Sequence, residues 1–280
     1  MERPVRRIEP AHPPGRSAPT HANRMVIPPD DFAAHSPFLM LAEDWFAPPA
    51  GFPTHPHRGM ETVTIVLEGE LEHRDHTGAH GVLRQGDVQW MTAGRGVLHS
   101  EMPGPGGVHS LQLWLNLPAD AKMSPARYTD QRAAETPVIA SEGSEVRVYA
   151  GRQGAVVSGH GSTHPMGLFG VTLEAGAGVT LEVPSAERAF LYAIEGSCAL
   201  GGGGPALQAG HAAWFDPMEG AQVVTLRAER PFRGVLFSGV PIDEPVAAYG
   251  PFVMNTMEEI HQAFEDYRGG VFVEGAAHEA

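Results

Sequence analysis

The chain has 280 residues, 42% of them hydrophobic and 19% charged, and a formal net charge of −14 with histidine neutral. That length buries a sizeable core in one or two domains, and the acidic balance excludes direct binding to nucleic acid through its phosphates, which needs a basic face. The single cysteine, Cys198, excludes an intrachain disulfide and any thiolate-rich zinc or iron–sulfur site.

The first residues, Met-Glu-Arg-Pro-Val-Arg-Arg, lack the apolar centre of a signal peptide. No window approaches the ~20 apolar residues of a membrane-spanning helix. A cytoplasmic protein without a membrane partner is expected. Residues 1–24 are rich in Pro, Arg and His, carry no periodicity, and read as a disordered segment. With 34 glycines and 25 prolines, the rest favours short strands between turns. An apolar run begins at Phe38 and turns through Pro48-Pro49-Ala-Gly51. Glu61–Leu67 reads as a strand in which Val63, Ile65 and Leu67 share a parity with His55, His57 and Glu61, unless a bulge at Gly59 breaks the register. Glu68-Gly69-Glu70 reads as a turn, Leu71–Asp75 as a strand, Thr77-Gly78 as a turn and Gly86-Asp87 as a hairpin corner before Val88–Met91. His109–Leu115 closes the first unit.

A second unit from about Val146 echoes the first. Ile194-Glu195-Gly196 matches Leu67-Glu68-Gly69, and the run from Leu207 to Trp214 matches that from Leu83 to Trp90. Cys198 lies in an apolar strand-like run of this unit and reads as a buried, inert thiol. In the final segment Thr256-Met-Glu-Glu259 has the form of a capping box, Ile260, Phe264 and Tyr267 form an apolar stripe, and Gly269-Gly270 stops the helix. The expected fold is all-β, two tandem barrels with a short C-terminal helix. The expected division is 1–24 disordered, 25–145 a metal-binding barrel, 146–245 a barrel without ligands, and 246–280 a tail and helix packed back on the barrels.

Two fragments carry chemistry. His55-Pro-His57 and His99-Ser-Glu101 each hold two metal ligands at i and i+2, which in a strand share a face. Three imidazoles and a carboxylate form a nitrogen–oxygen set suited to Fe(II), Mn, Co, Ni, Cu or Zn, with octahedral positions left open. The other histidines, among them His21, His35, His160, His164 and His278, read as surface or satisfied core residues; His73, His76 and His80 near a turn read as exposed. In the repeat, His55 aligns with Glu182, His57 with Pro184, Glu61 with Arg188, His99 with Val223 and Glu101 with Thr225, so one metal per chain is expected. The general cupin pattern places a ligand glutamate after the H-X-H pair with three or four residues between. Glu61 fits that position and competes with Glu101.

The fragments Phe-Pro-Thr-His-Pro-His-Arg-Gly-Met-Glu-Thr-Val (52–63), Gly-Asp-Val-Gln-Trp-Met-Thr-Ala-Gly-Arg-Gly-Val-Leu-His-Ser-Glu-Met-Pro (86–103), Leu-Gln-Leu-Trp-Leu-Asn-Leu-Pro (111–118) and Gly-Pro-Phe-Val-Met-Asn-Thr (250–256) resemble the pirin family of bicupins. The likeness runs from about residue 34 to 270, dense in the first barrel and sparse in the second. It implies an iron site at His55, His57, His99 and Glu101, favouring Glu101 over Glu61. It also implies one of two functions. The first is a quercetin 2,3-dioxygenase-like enzyme that opens flavonols with dioxygen at one divalent metal, Fe(II) foremost, with Glu101 as proton acceptor. The second is a metal- or redox-sensing regulator that binds partner proteins. Trp90, Met91, Leu113 and Trp114 are the expected pocket walls. The basic, Pro-rich N-terminal segment departs from the family pattern.

Overall fold

The computed structural model describes residues 1–201, 203–220 and 222–273; His278 lies outside the described residues. The architecture is the expected all-β one, with two strand-built units and a helix at Met257–Arg268. The division is not contiguous. Met1–His12 joins Glu135–Pro241 in one unit, and Pro13–Ala134 joins the chain from Ile242 onward in the other. Among the described residues no helix is long and apolar enough to cross a membrane.

In the unit that begins at Pro13, two long strands organise the sheet. Met60–Asp75 and Val97–Asn116 pair antiparallel along most of their length, and Phe38–Phe46, His21–Ile27 and Gly15–Ala18 extend the sheet on one side. Val88–Thr92 and Arg127–Gln131 extend it on the other, while Phe52–His57 adds to Val97–Asn116. Glu68-Gly69-Glu70 is not the turn expected from sequence. The strand runs on through it with two register shifts, at Val66/Glu68 and Gly69/Leu71. Gly69 takes φ +77°, and a Cβ there would collide with the Gly107 carbonyl, so a glycine bulge bends one continuous strand. Gly59, at φ +78°, does break the register: Phe52–His57 ends before it and Met60–Asp75 begins after it.

Behind this break lies the Gly250–Thr256 fragment. The buried Lys122 ammonium donates to the carbonyls of Gly59 (2.9 Å) and Val253 (3.2 Å) and to Asn116 Oδ1 (2.7 Å). Burial pushes its pKa down to about 8. The helix Met257–Arg268 starts with both halves of the capping box, Glu259 N–H to Thr256 Oγ1 and Thr256 N–H to the Glu259 carboxylate. Ile260 and Ala263 are its buried residues, whereas Tyr267 is exposed. Asp266 on this helix accepts from the buried Arg58 guanidinium at 2.6 Å, beside His57 in sequence.

The other unit holds a seven-stranded and a four-stranded sheet around an apolar core that includes Leu191, Leu226, Phe232 and Leu236. Cys198 lies in that core, its thiol pushed up to about 12 by burial, as an inert thiol should be. The register supports the internal repeat: Glu182 stands opposite Val223 as His55 stands opposite His99.

The expectation of a disordered segment at 1–24 is corrected. Arg7–Pro10 pairs with His211–Phe215, and Gly15–Ala18 forms a hairpin with His21–Ile27. Arg3 is buried at 2% exposure and donates to the carbonyls of Glu187, Pro184 and Ser185, while Arg7 lies 4.6 Å over the Trp214 ring. A sheet edge supplies backbone partners to a sequence with no periodicity of its own, and that tertiary pairing is what a local reading misses. Removing residues 1–12 is expected to lower the melting temperature by about 5 °C or more while leaving metal stoichiometry unchanged. Calorimetry with metal analysis of the truncated protein checks both.

Candidate metal centre

Three of the four expected ligands meet. His55 and His57 lie on Phe52–His57 with the period-2 spacing that places both on one face, and His99 is the cross-strand partner of His55. Ring centroids are 4.3 Å apart for His55–His99, 4.8 Å for His55–His57 and 5.1 Å for His57–His99. One nitrogen from each lies within 4.8 Å of the others. His57 and His99 are buried and His55 is half-buried.

Each ring has its Nδ1 engaged. His55 Nδ1 donates to the Pro53 carbonyl at 2.9 Å, and His57 Nδ1 to the Pro251 carbonyl at 3.3 Å. His99 Nδ1 lies 3.1 Å from His73 Nε2. A carbonyl only accepts, so in the first two rings the proton sits on Nδ1 and Nε2 carries the lone pair. His99 Nε2 is buried with no protein partner among the described residues. Burial, and then the neighbouring His55, lower the His57 pKa to about 3; burial likewise lowers His55 and takes His99 well below the usual imidazole range. The rings are therefore neutral at pH 7. Three neutral nitrogens that face one another, one of them buried without a protein partner among the described residues, fit a divalent metal.

Glu101 shares a face with His99 and borders the same cavity, of about 580 Å³, together with His55, His57, Met40, Phe52 and Trp114. Its carboxylate lies outside the group of mutually close histidine nitrogens. It accepts from Gln112 Nε2 at 3.0 and 2.9 Å and from Thr64 Oγ1 at 3.4 Å. Burial, and after it the charge of Asp44, raise its pKa to about 7 against the pull of the Gln112 hydrogen bond. Glu61 is elsewhere. Past the Gly59 break it pairs with Thr92, whose hydroxyl donates to its carboxylate at 2.5 Å, and it stays outside the histidine group.

The expected wall is right at one residue of four. Trp114 packs edge-on to His57 at 5.2 Å and borders the cavity. Leu113 has the opposite parity; Met91 packs with Leu39 and Met60, and Trp90 Nε1 donates to Gln131 at 3.3 Å. The sequence reading also missed His73. It is fully buried, stacks on Tyr128 at 4.6 Å, and meets His99. Its parity with the apolar Leu71 was the available signal. His80, in contrast, is exposed as expected.

A family model described as Pirin matches residues 24–115, and one described as Pirin C-terminal cupin domain matches residues 168–273. A pirin-like protein from Solanum lycopersicum is 45% identical over 236 residues, covering 84% of this chain and 81% of its own length. A crystal structure of a quercetin 2,3-dioxygenase from Acinetobacter baumannii superposes with a TM-score of 0.89 at 32% identity, covering 97% of this chain and 99% of that one. The bacterial pirin YhhW from Escherichia coli, solved in complex with nickel(II), shares the fold at a TM-score of 0.66 and 22% identity, covering 84% of this chain and all of that one.

Purified protein is expected to hold one metal ion per chain, and His57→Ala to lose most of it. Glu61→Gln should bind metal as wild type does. Metal analysis after dialysis checks all three, and two tightly held ions or a metal-free Glu61→Gln would contradict them. His73→Leu should weaken metal affinity by about tenfold or more, whereas His73→Gln, which keeps an acceptor for His99 Nδ1–H, should retain most of it; competition with a chelator of known affinity measures the difference.

Proposed function

The chain belongs to the pirin family, and from that premise we propose that its first barrel is a metal-dependent dioxygenase that opens flavonols such as quercetin with dioxygen. The observation that carries this reading is the three-histidine group, two of whose rings, His55 and His57, line a cavity that also holds the buried Glu101 carboxyl. In the proposed site His55, His57 and His99 hold the metal and Glu101 is the fourth ligand. Iron(II) is the favoured ion, within a donor set that also suits Mn, Co, Ni, Cu or Zn. A bound redox-active ion supplies Lewis acidity and the electronic route by which dioxygen meets the substrate.

The chain's own residues do the rest. Glu101 accepts the proton of the flavonol 3-hydroxyl. Gln112 and Thr64 orient the carboxylate through the hydrogen bonds described above, so its movement toward the histidines is set against two fixed partners. Met40, Phe52 and Trp114 offer flat and adaptable apolar surface to an aromatic ring and exclude water from the face where the proton leaves. The orientation of substrate against metal and base lowers the entropic part of the barrier.

Metal-loaded protein is expected to consume quercetin and dioxygen together, seen as loss of the flavonol absorption band and oxygen uptake in equal amounts. Glu101→Gln, compared at equal metal occupancy, should lower kcat by about a hundredfold. No turnover under air with any of the plausible divalent metals would reject the dioxygenase reading and leave a metal-bearing regulatory binding protein as the better account.

A further inference from the structure

The cavity has a polar lining beyond the three histidines and Glu101. His21, Asn23 and Asp44 line it alongside His55, His57 and Glu101. His21 and Asn23 come from the strand His21–Ile27, which pairs with Phe38–Phe46, where Asp44 lies. His21 Nε2 meets Asp44 Oδ1 at 2.8 Å, and Asn23 Nδ2 donates to the same oxygen at 2.9 Å. The two side chains are 11% and 6% exposed, so this hydrogen-bonded contact is largely shielded from solvent. Phe46 and Phe52 clamp the imidazole, at centroid distances of 5.3 and 5.4 Å, and Phe52 also packs on His55 at 6.2 Å. One aromatic ring thus separates His21 from the metal-site histidines.

The chemistry of this arrangement is specific. A carboxylate only accepts, so in the neutral ring Asp44 fixes the proton on Nε2 and leaves the lone pair on Nδ1. Nδ1 has no protein partner among the described residues. Packing and the two hydrogen bonds to Asp44 set both the position and the tautomer of the ring before any ligand arrives, which is the requirement for a selective polar contact in an apolar pocket. An acceptor in a largely shielded site discriminates by what it loses: a ligand that cannot donate to it leaves it unpaired.

We propose that His21, held by Asp44 and Asn23, reads a second hydroxyl on the aromatic substrate, at the end of the molecule remote from the group that faces the metal. The cavity then selects polyphenols over rings with a single hydroxyl, and the N-terminal hairpin that carries His21 is a specificity element. The substrate class rests on the dioxygenase reading above, but recognition by His21 does not require turnover.

Anaerobic binding to the metal-loaded protein tests it, with quercetin and 3-hydroxyflavone as probes, since the second keeps the reacting hydroxyl and lacks the others. Wild type should prefer quercetin. His21→Phe keeps the ring packing and removes the acceptor; it should weaken quercetin by about tenfold and leave 3-hydroxyflavone within about twofold. Asp44→Asn should reduce the same preference to a lesser degree, and it carries the test if His21→Phe does not fold. Equal loss for both probes, an unchanged preference in both variants, or no preference in wild type overturns the proposal. Preference abolished as expected in a protein that takes up no oxygen would reject the dioxygenase and leave the role of His21 standing; a wild type that binds neither probe overturns both.

Discussion

The first barrel's chemistry depends on one constraint: each of three neutral imidazoles must have its Nδ1 engaged so that Nε2 is left for a ligand. Three unrelated parts of the chain meet that need. Pro53 serves His55 from within its own strand, Pro251 serves His57 from the far end of the sequence, and His73 serves His99 from the bent strand beside it. Burial acts in the same direction by disfavouring imidazolium, so the rings stay neutral without any acid partner. Neutral, pre-oriented nitrogens are what a divalent ion selects for, because binding then displaces no proton and reorders no side chain.

Much of the surrounding structure serves to hold those partners. Gly59 ends the strand that carries His55 and His57, and its carbonyl is tied by Lys122 to Val253, two residues beyond Pro251. Arg58 reaches the C-terminal helix at Asp266 and lies 4.5 Å over the Phe272 ring. Gly250–Thr256 is a backbone segment that accepts from His57 through the Pro251 carbonyl, with a helix following it. Glu61, which the H-X-H spacing puts forward as a ligand, lies on the far side of the Gly59 break and is satisfied by Thr92 instead.

The histidine pairs were legible because strand periodicity is local: residues two apart share a face whatever the rest of the chain does. The two-barrel plan was legible from the repeat, which the Glu182–Val223 register matches. Other features depended on long-range pairing and left little local trace. Residues 7–10 become a strand only because His211–Phe215 offers an edge, and Glu68-Gly69-Glu70 reads as a turn because a glycine bulge and a tight turn share the same local residues. His73 and His21 were read as ordinary because their partners, His99 and Asp44, lie 26 and 23 residues away. Pocket walls failed for a simpler reason. Parity decides which of Leu113 and Trp114 faces the cavity, and only the ladder sets parity across a bulge.

Glu101 is where structure and proposed chemistry meet under tension, since its carboxylate is hydrogen-bonded to Gln112 while the donor set has room for a fourth ligand. Anomalous diffraction from crystals of the metal-loaded protein tests this most directly. One peak per chain is expected, within bonding distance of His55, His57 and His99 Nε2, with a Glu101 oxygen turned to the same ion. A peak held by Glu61, an ion in the barrel formed around Glu135–Pro241, or an ion bound by the histidines while Glu101 stays on Gln112 would contradict the account.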